Sequence, residues 1–158
     1  MLYVAYGSNM NIEQMKYRCP DAKVIGTGII PHYMLMFRGR AESAVATIQK
    51  DVYAEKDKNV GVPVVVWEIS PRDERSLDIY EGYPRLYVKK NINVLMSSGE
   101  TLEAMVYIMN SGYKSGLPSE NYFNTILEGY FDNELDVEYL FSRLEAAKGF
   151  LGWNGNNS

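Results

Sequence analysis

Cysteine is almost missing from this chain. The single Cys19 among 158 residues excludes an internal disulfide and a cysteine-rich zinc site. Beside Pro20 it reads as a small packing residue. Histidine is as scarce: His32 stands alone, at a strand start between Pro31 and Tyr33, where a structural or surface role is expected. No cluster of His, Asp and Glu has metal-ligand spacing. Neither Ser8 nor Cys19 has a neighbouring base that would make it a nucleophile, and no G-x-S-x-G frame surrounds Ser8. Basic blocks are absent too. Sixteen Lys and Arg against 20 Asp and Glu leave a net charge of −4, which argues against a nucleic-acid phosphate track. There is no apolar run of the ~18 residues that a membrane span needs, no charged-then-apolar leader ahead of "LYVAY", no GxGxxG or P-loop, and no internal repeat or linker. The expectation is one domain over residues 1–150 with a loose polar tail over 151–158. A cytoplasmic setting is expected, with no metal, cofactor, membrane or nucleic-acid partner, and the oligomeric state is left open.

What the chain has in excess is tyrosine. Thirteen of them lift the aromatic share to 13% and suggest a core or cavity furnished with hydroxyl-tipped rings. Hydrophobic residues at 46% and charged residues at 23% are ordinary for a globular domain. Residues 2–6 form a first expected strand. Asn11 then caps a helix over "IEQMKYRC", with Gln14 three places on as in a capping box, and Pro20 stops it. Extended segments follow in "AKVIGTGII", "HYMLMF" and "SAVATIQK". "VPVVVWEIS" is a continuous apolar run, the signature of a strand buried on both faces. Ser70 and Pro71 open a second helix that ends at Gly82, suited to a left-handed cap. "LYVKKNINVLM" and "TLEAMVYIM" flank the hairpin signal "SSGE", and two helical patterns close the chain. Strands in runs, with helices after the first and the fifth and at the end, predict an α+β domain with a mixed, barrel-like sheet and peripheral helices.

Two stretches ask for more than a fold. In "YVAYGSNMN" a strand breaks into Gly, Ser and Asn before a helix begins. Such a cluster is either a plain turn or a loop whose amides and short side chains face a small ligand. In "SLDIYEGYPRLY" both Asp78 and Glu81 fall in the last turn of a helix, where the dipole disfavours a carboxylate by roughly 0.3–1 kcal/mol. Glu81 is either a solvated acid, with Arg85 just beyond the turn as a partner, or a carboxylate held there for use. In the second case burial and carbonyl dipoles would raise its pKa towards neutrality.

"AYGSNM" followed downstream by "YEGYPRLY" resembles the γ-glutamylcyclotransferases. The strand order, the "VATI" segment, "MVYIM" and "LPSENYFNTILEGY" are similar as well, and the resemblance spans about residues 1–135. It implies a compact barrel-like α+β fold. It implies also a reaction in which a γ-glutamyl compound closes to 5-oxoproline and releases an amine or amino acid. Carried over, Gly7, Ser8, Asn9 and Met10 form the loop that holds the γ-glutamyl group, and Glu81 is the acid/base residue. Tyr6 and Tyr107 line the cavity, with Tyr122 a further candidate. Residues 110–118 are expected to border the leaving-group side. The substrate brings its own nucleophile, its α-amino group, so the implied chemistry needs proton transfer and positioning rather than a cofactor. The alternative is a non-catalytic module that uses the same pocket to bind a small ligand or a protein.

Overall fold

The computed structural model describes residues 1–53, 57 and 59–155, the last six as backbone only. Seven strands and four α-helices follow in the expected order: β1 (Leu2–Ala5), α1 (Ile12–Arg18), β2 (Lys23–Pro31), β3 (Tyr33–Arg40), β4 (Ser43–Lys50), β5 (Gly61–Glu68), α2 (Pro71–Tyr80), β6 (Tyr87–Met96), β7 (Thr101–Met109), α3 (Glu120–Asp132) and α4 (Val137–Gly155). A 3₁₀ turn, Ser8–Met10, links β1 to α1. Five strands close into a barrel in the order β1-β5-β2-β6-β7, and β3 and β4 form a separate two-stranded sheet. Every strand pair is antiparallel except β1–β7, whose parallel contact at Tyr3 and Met105 seals the barrel. The fold is thus α+β, a single domain built on a mixed barrel.

β5 explains its own sequence. It pairs with β1 on one edge and β2 on the other, and its residues from Val62 to Trp67 are all buried. A strand covered on both faces cannot alternate polar with apolar, hence the unbroken run.

The helix ends follow local chemistry. Asn11 Oδ1 accepts from the Gln14 amide at 3.0 Å, capping α1. Only half of the expected box forms, because the Gln14 side chain turns forward to accept from Arg18 instead. Ser70 makes a complete box with Asp73 at the start of α2. Gly82, at φ +62, ends that helix in the left-handed region where a side chain would be strained. No helix among the described residues is long and apolar enough to cross a membrane. α4 continues to Gly155, into the segment expected as a loose tail, while residues 156–158 lie outside the described residues.

The turn after β1 is clamped from outside by α3. Gly129 is what lets them meet: a Cβ there would lie 2.9 Å from both the Asn11 nitrogen and the Met10 carbonyl carbon. Asn133 Nδ2 then donates to the Met10 carbonyl at 2.9 Å, and Asn11 Nδ2 donates to Thr125 O at 3.1 Å. The turn that follows β1 is therefore fixed on a helix.

Candidate active site

The clamped turn roofs a cavity of about 220 Å³. β1 supplies Tyr3 and runs into Tyr6, Gly7, Ser8 and Asn9. β4 supplies Val45 and Ala46, β6 supplies Tyr87, β7 supplies Tyr107 and α3 supplies Tyr122, while the end of α2 delivers Tyr80 and Glu81. Six of the thirteen tyrosines line this one space, which answers why the chain carries so many. Burial raises the phenols of Tyr3, Tyr6, Tyr87, Tyr107 and Tyr122 above their ordinary value, so these rings stay neutral.

Their hydroxyls are held by the protein. Tyr6 Oη donates to the Tyr107 carbonyl at 2.6 Å, and Tyr87 Oη donates to the Ala46 carbonyl at 2.6 Å. The Ala46 amide in turn donates to Tyr122 Oη at 3.0 Å, so two phenols bracket one residue of β4 through its two flanking peptides. Tyr107 Oη donates to Asp78 Oδ1 at 2.6 Å. A phenol that has spent its proton on a protein acceptor keeps only lone pairs for a ligand.

The two acids of α2 have opposite fates. Asp78 meets Lys89 Nζ at 2.8 Å as well as Tyr107, and Lys89 also meets Glu74 at 2.9 Å. Its charge is answered. Glu81, one turn on, is half-buried as a residue, with its carboxyl enclosed among the cavity side chains. Among the described residues it has no ion pair, with Arg85 or any other cation. It accepts one hydrogen bond, from Asn9 Nδ2 at 3.3 Å. Burial pushes its pKa up to about 7, and the Arg18 guanidinium pulls the other way.

Gly7, Ser8 and Asn9 line one cavity with Glu81, Tyr6 and Tyr107. Met10 does not join them. Its side chain is fully buried in the core beneath α3, on the side of the turn away from the cavity lining. Residues 110–118 do not line the cavity either: Lys114 O accepts from Gly39 and Ser115 bridges to Arg38, which ties that loop to the far end of β3. Sequence reasoning passed over Tyr3, Tyr80, Tyr87 and Arg18. Tyr80 and Tyr87 stand inside the very motif that carries Glu81, a signal that was available. Tyr3 and Arg18 gave none, since their role depends on pairing across the fold. Among the described residues no three His, Cys, Asp or Glu side chains come together as metal ligands would.

A family model described as gamma-glutamyl cyclotransferase, AIG2-like, matches residues 3–131. The chain belongs to that family. The matched span runs from β1 to α3 and contains every residue of the cavity lining. A gamma-glutamylcyclotransferase of Homo sapiens is 30% identical over 141 residues, covering 87% of this chain and 74% of the relative. The Mus musculus protein of the same name is 31% identical over 146 residues, with the same coverage. A solved structure named gamma-glutamyl cyclotransferase superposes with a TM-score of 0.76 at 28% identity, covering 93% of this chain and 85% of that one. The chain is an enzyme of that family, and its barrel is the fold of that solved structure.

Proposed function

We propose that this chain converts a γ-glutamyl compound into 5-oxoproline and a released amine or amino acid, with Glu81 as the acid/base residue. One observation carries this reading: an enclosed carboxyl group, without an ion pair among the described residues and pushed by burial up to about 7, beside a loop of short polar residues. A group that is half ionised near neutral pH can both take and give a proton within one turnover.

The chemistry asks for that. The substrate's α-ammonium gives a proton to the Glu81 carboxylate, and the freed amine attacks the γ-carbonyl to form the ring C–N bond. The tetrahedral oxyanion collapses with cleavage of the bond to the leaving nitrogen. On the way to the lactam two protons leave the α-nitrogen and two arrive on the departing nitrogen, which ends as ammonium. One carboxyl group that takes each proton and hands it on returns to its starting state.

Positioning supplies the rest. Amides at the start of a helical turn have no carbonyl behind them, so those of Ser8 and Asn9 are donors for the α-carboxylate or the oxyanion. The lone pairs of Tyr6 and Tyr107 suit the ammonium, because both phenols have given their protons to protein acceptors. Holding the flexible chain with nitrogen against carbonyl exploits effective molarities of roughly 10⁵–10⁸ M. The test is incubation with a panel of γ-glutamyl compounds: γ-glutamyl amino acids, glutathione and γ-glutamylamines, including an isopeptide-linked lysine. 5-Oxoproline from at least one of them is expected, and none from any would overturn the reading.

A further inference from the structure

Among the described residues no lysine, arginine or histidine lines the cavity, yet one cation acts on its carboxyl group from a step behind. Arg18, the last residue of α1, lies with its Cζ 3.2 Å from the centroid of the Tyr80 ring. Its Nη1 donates to Gln14 Oε1 at 3.3 Å and to Asn9 Oδ1. Asn9, only 3% exposed, is therefore held at its oxygen end by Arg18. Its nitrogen end donates to Tyr3 Oη at 2.9 Å and to Glu81 Oε1 at 3.3 Å. The backbone carbonyl of Asn9 accepts from Trp67 Nε1 at 3.1 Å, so the residue cannot slide away from this arrangement.

The two ends of a carboxamide have almost the same shape, and packing does not choose between them; hydrogen-bond partners do. Tyr3 Oη can donate or accept, so it leaves the choice open. An ionised Glu81 favours the nitrogen end. A protonated Glu81 carries a donor as well as an acceptor, and it no longer enforces the choice. Glu81 must pass through both forms in the proposed reaction. A guanidinium is donor-only and stays charged at every pH of interest. Facing Arg18, only the oxygen end of Asn9 is acceptable, whatever Glu81 is doing.

We propose that Arg18 is the positioning residue of this site: through the Asn9 amide it keeps the Glu81 carboxyl in one orientation throughout the proton cycle. This rests on Glu81 being the acid/base residue. The same side chain steadies the other wall, since the Tyr80 ring beneath it places Tyr80 Oη 3.1 Å from Ser8 Oγ. Charge gives a second, measurable consequence. The ionisable groups around Glu81 are the phenols of Tyr3 from β1, Tyr6 just after it, Tyr87 from β6, Tyr107 from β7, Tyr122 from α3 and Tyr80 from α2. Asp78, one turn earlier, is tied to Lys89. Arg18 is the cation that opposes the effect of burial on Glu81, so its loss moves the titration upward.

Two readouts test this, one of which needs no turnover. In protein labelled at the glutamate side-chain carboxyl carbon, NMR follows the Glu81 signal, assigned by its absence in Glu81→Gln. Arg18→Met should raise the midpoint by about one pH unit, and Arg18→Lys, which keeps the charge, should leave it near the wild-type value. In kinetics the acidic limb of kcat/KM should move up with the Arg18→Met midpoint. At pH 7 that shift alone lowers the ionised fraction about fivefold. In an Asn9→Ala background the same substitution should cost less than about threefold at a pH well above both midpoints, since the amide it orients is gone. A midpoint unmoved by Arg18→Met, or a loss that multiplies fully with Asn9→Ala, would overturn the proposal and leave Arg18 a packing residue of α1. If Arg18→Met has no melting transition, Arg18→Gln, which loses the charge and can accept as well as donate, decides: a raised midpoint with kcat/KM lowered threefold or more supports the orienting role, and unchanged values end it. A wild-type protein that makes no 5-oxoproline defeats the functional reading alone, because the NMR midpoint still reports on Arg18 and Glu81.

Discussion

Replacing Glu81 by glutamine should do two opposite things to this protein at once. Glutamine keeps the length of the side chain and an oxygen that can accept from Asn9 Nδ2, but it cannot take up a proton. Turnover should fall by about 10²-fold or more, the range a positioned acid/base group contributes. Stability should move the other way, with a sign set by the direction of the pKa change. A carboxyl raised from an ordinary 4.5 to about 7 in the fold binds its proton more tightly folded than unfolded. The native state is therefore unburdened below pH 4.5, and it loses stability as the pH rises through 7 and the buried group is forced to ionise. That gap corresponds to roughly 3 kcal/mol at most, and partial solvent contact at the cavity mouth trims it to roughly 1–2. Glu81→Gln should thus melt about 3–6 °C above wild type at pH 8, with the difference closing near pH 4. Thermal melts at the two pH values and a 5-oxoproline assay on the same preparations read both effects. A fully active variant would refute the assignment of the base. A melting difference that is the same at pH 4 and pH 8 would refute the raised pKa on which that assignment leans.

Other perturbations follow the same geometry. Gly7→Val should lower kcat/KM at least tenfold in a folded protein, because even a Cβ there lies 3.2 Å from Ala46 Cβ and the extra methyls must enter the cavity; wild-type kinetics would make "YGSN" a mere turn. Asp78→Asn removes one of the two charges that Lys89 pairs with and weakens the anchor of Tyr107 Oη; a loss of about 1–3 kcal/mol by denaturant melts is expected, with KM rising as the Tyr107 ring loosens. Cys19 is buried and burial pushes its thiol up to about 12, so the native protein at pH 8 should resist alkylation and keep full activity; mass spectrometry showing rapid labelling would contradict this.

Much of this molecule is local, and the sequence by itself determined that part. Every strand and helix of the order was legible, because each rests on short-range signals: the unbroken apolar run of β5, the Ser70–Pro71 start of α2, and the Gly82 stop with its positive φ. The barrel-like sheet followed from the way strands come in runs. "YGSN" and Glu81 were legible as a pair of motifs, because a carboxylate at a helix C-terminus runs against the local electrostatics and so stands out.

Whatever depends on a partner distant in the chain was decided only by the tertiary structure. Asp78 and Glu81 look equivalent in "SLDIYEG", and their difference lies in Lys89 and Tyr107, which β6 and β7 bring to one of them alone. Met10 belongs to the same tetrapeptide as Gly7, Ser8 and Asn9, yet α3 packs against the turn through Gly129 and takes that side chain into the core. The orientation of Asn9 is set by Arg18, and the environment of Glu81 by tyrosines from five separate elements. A pKa is a property of what surrounds a group after the chain has closed on itself. Sequence could name the carboxylate, but only the fold could desolvate it.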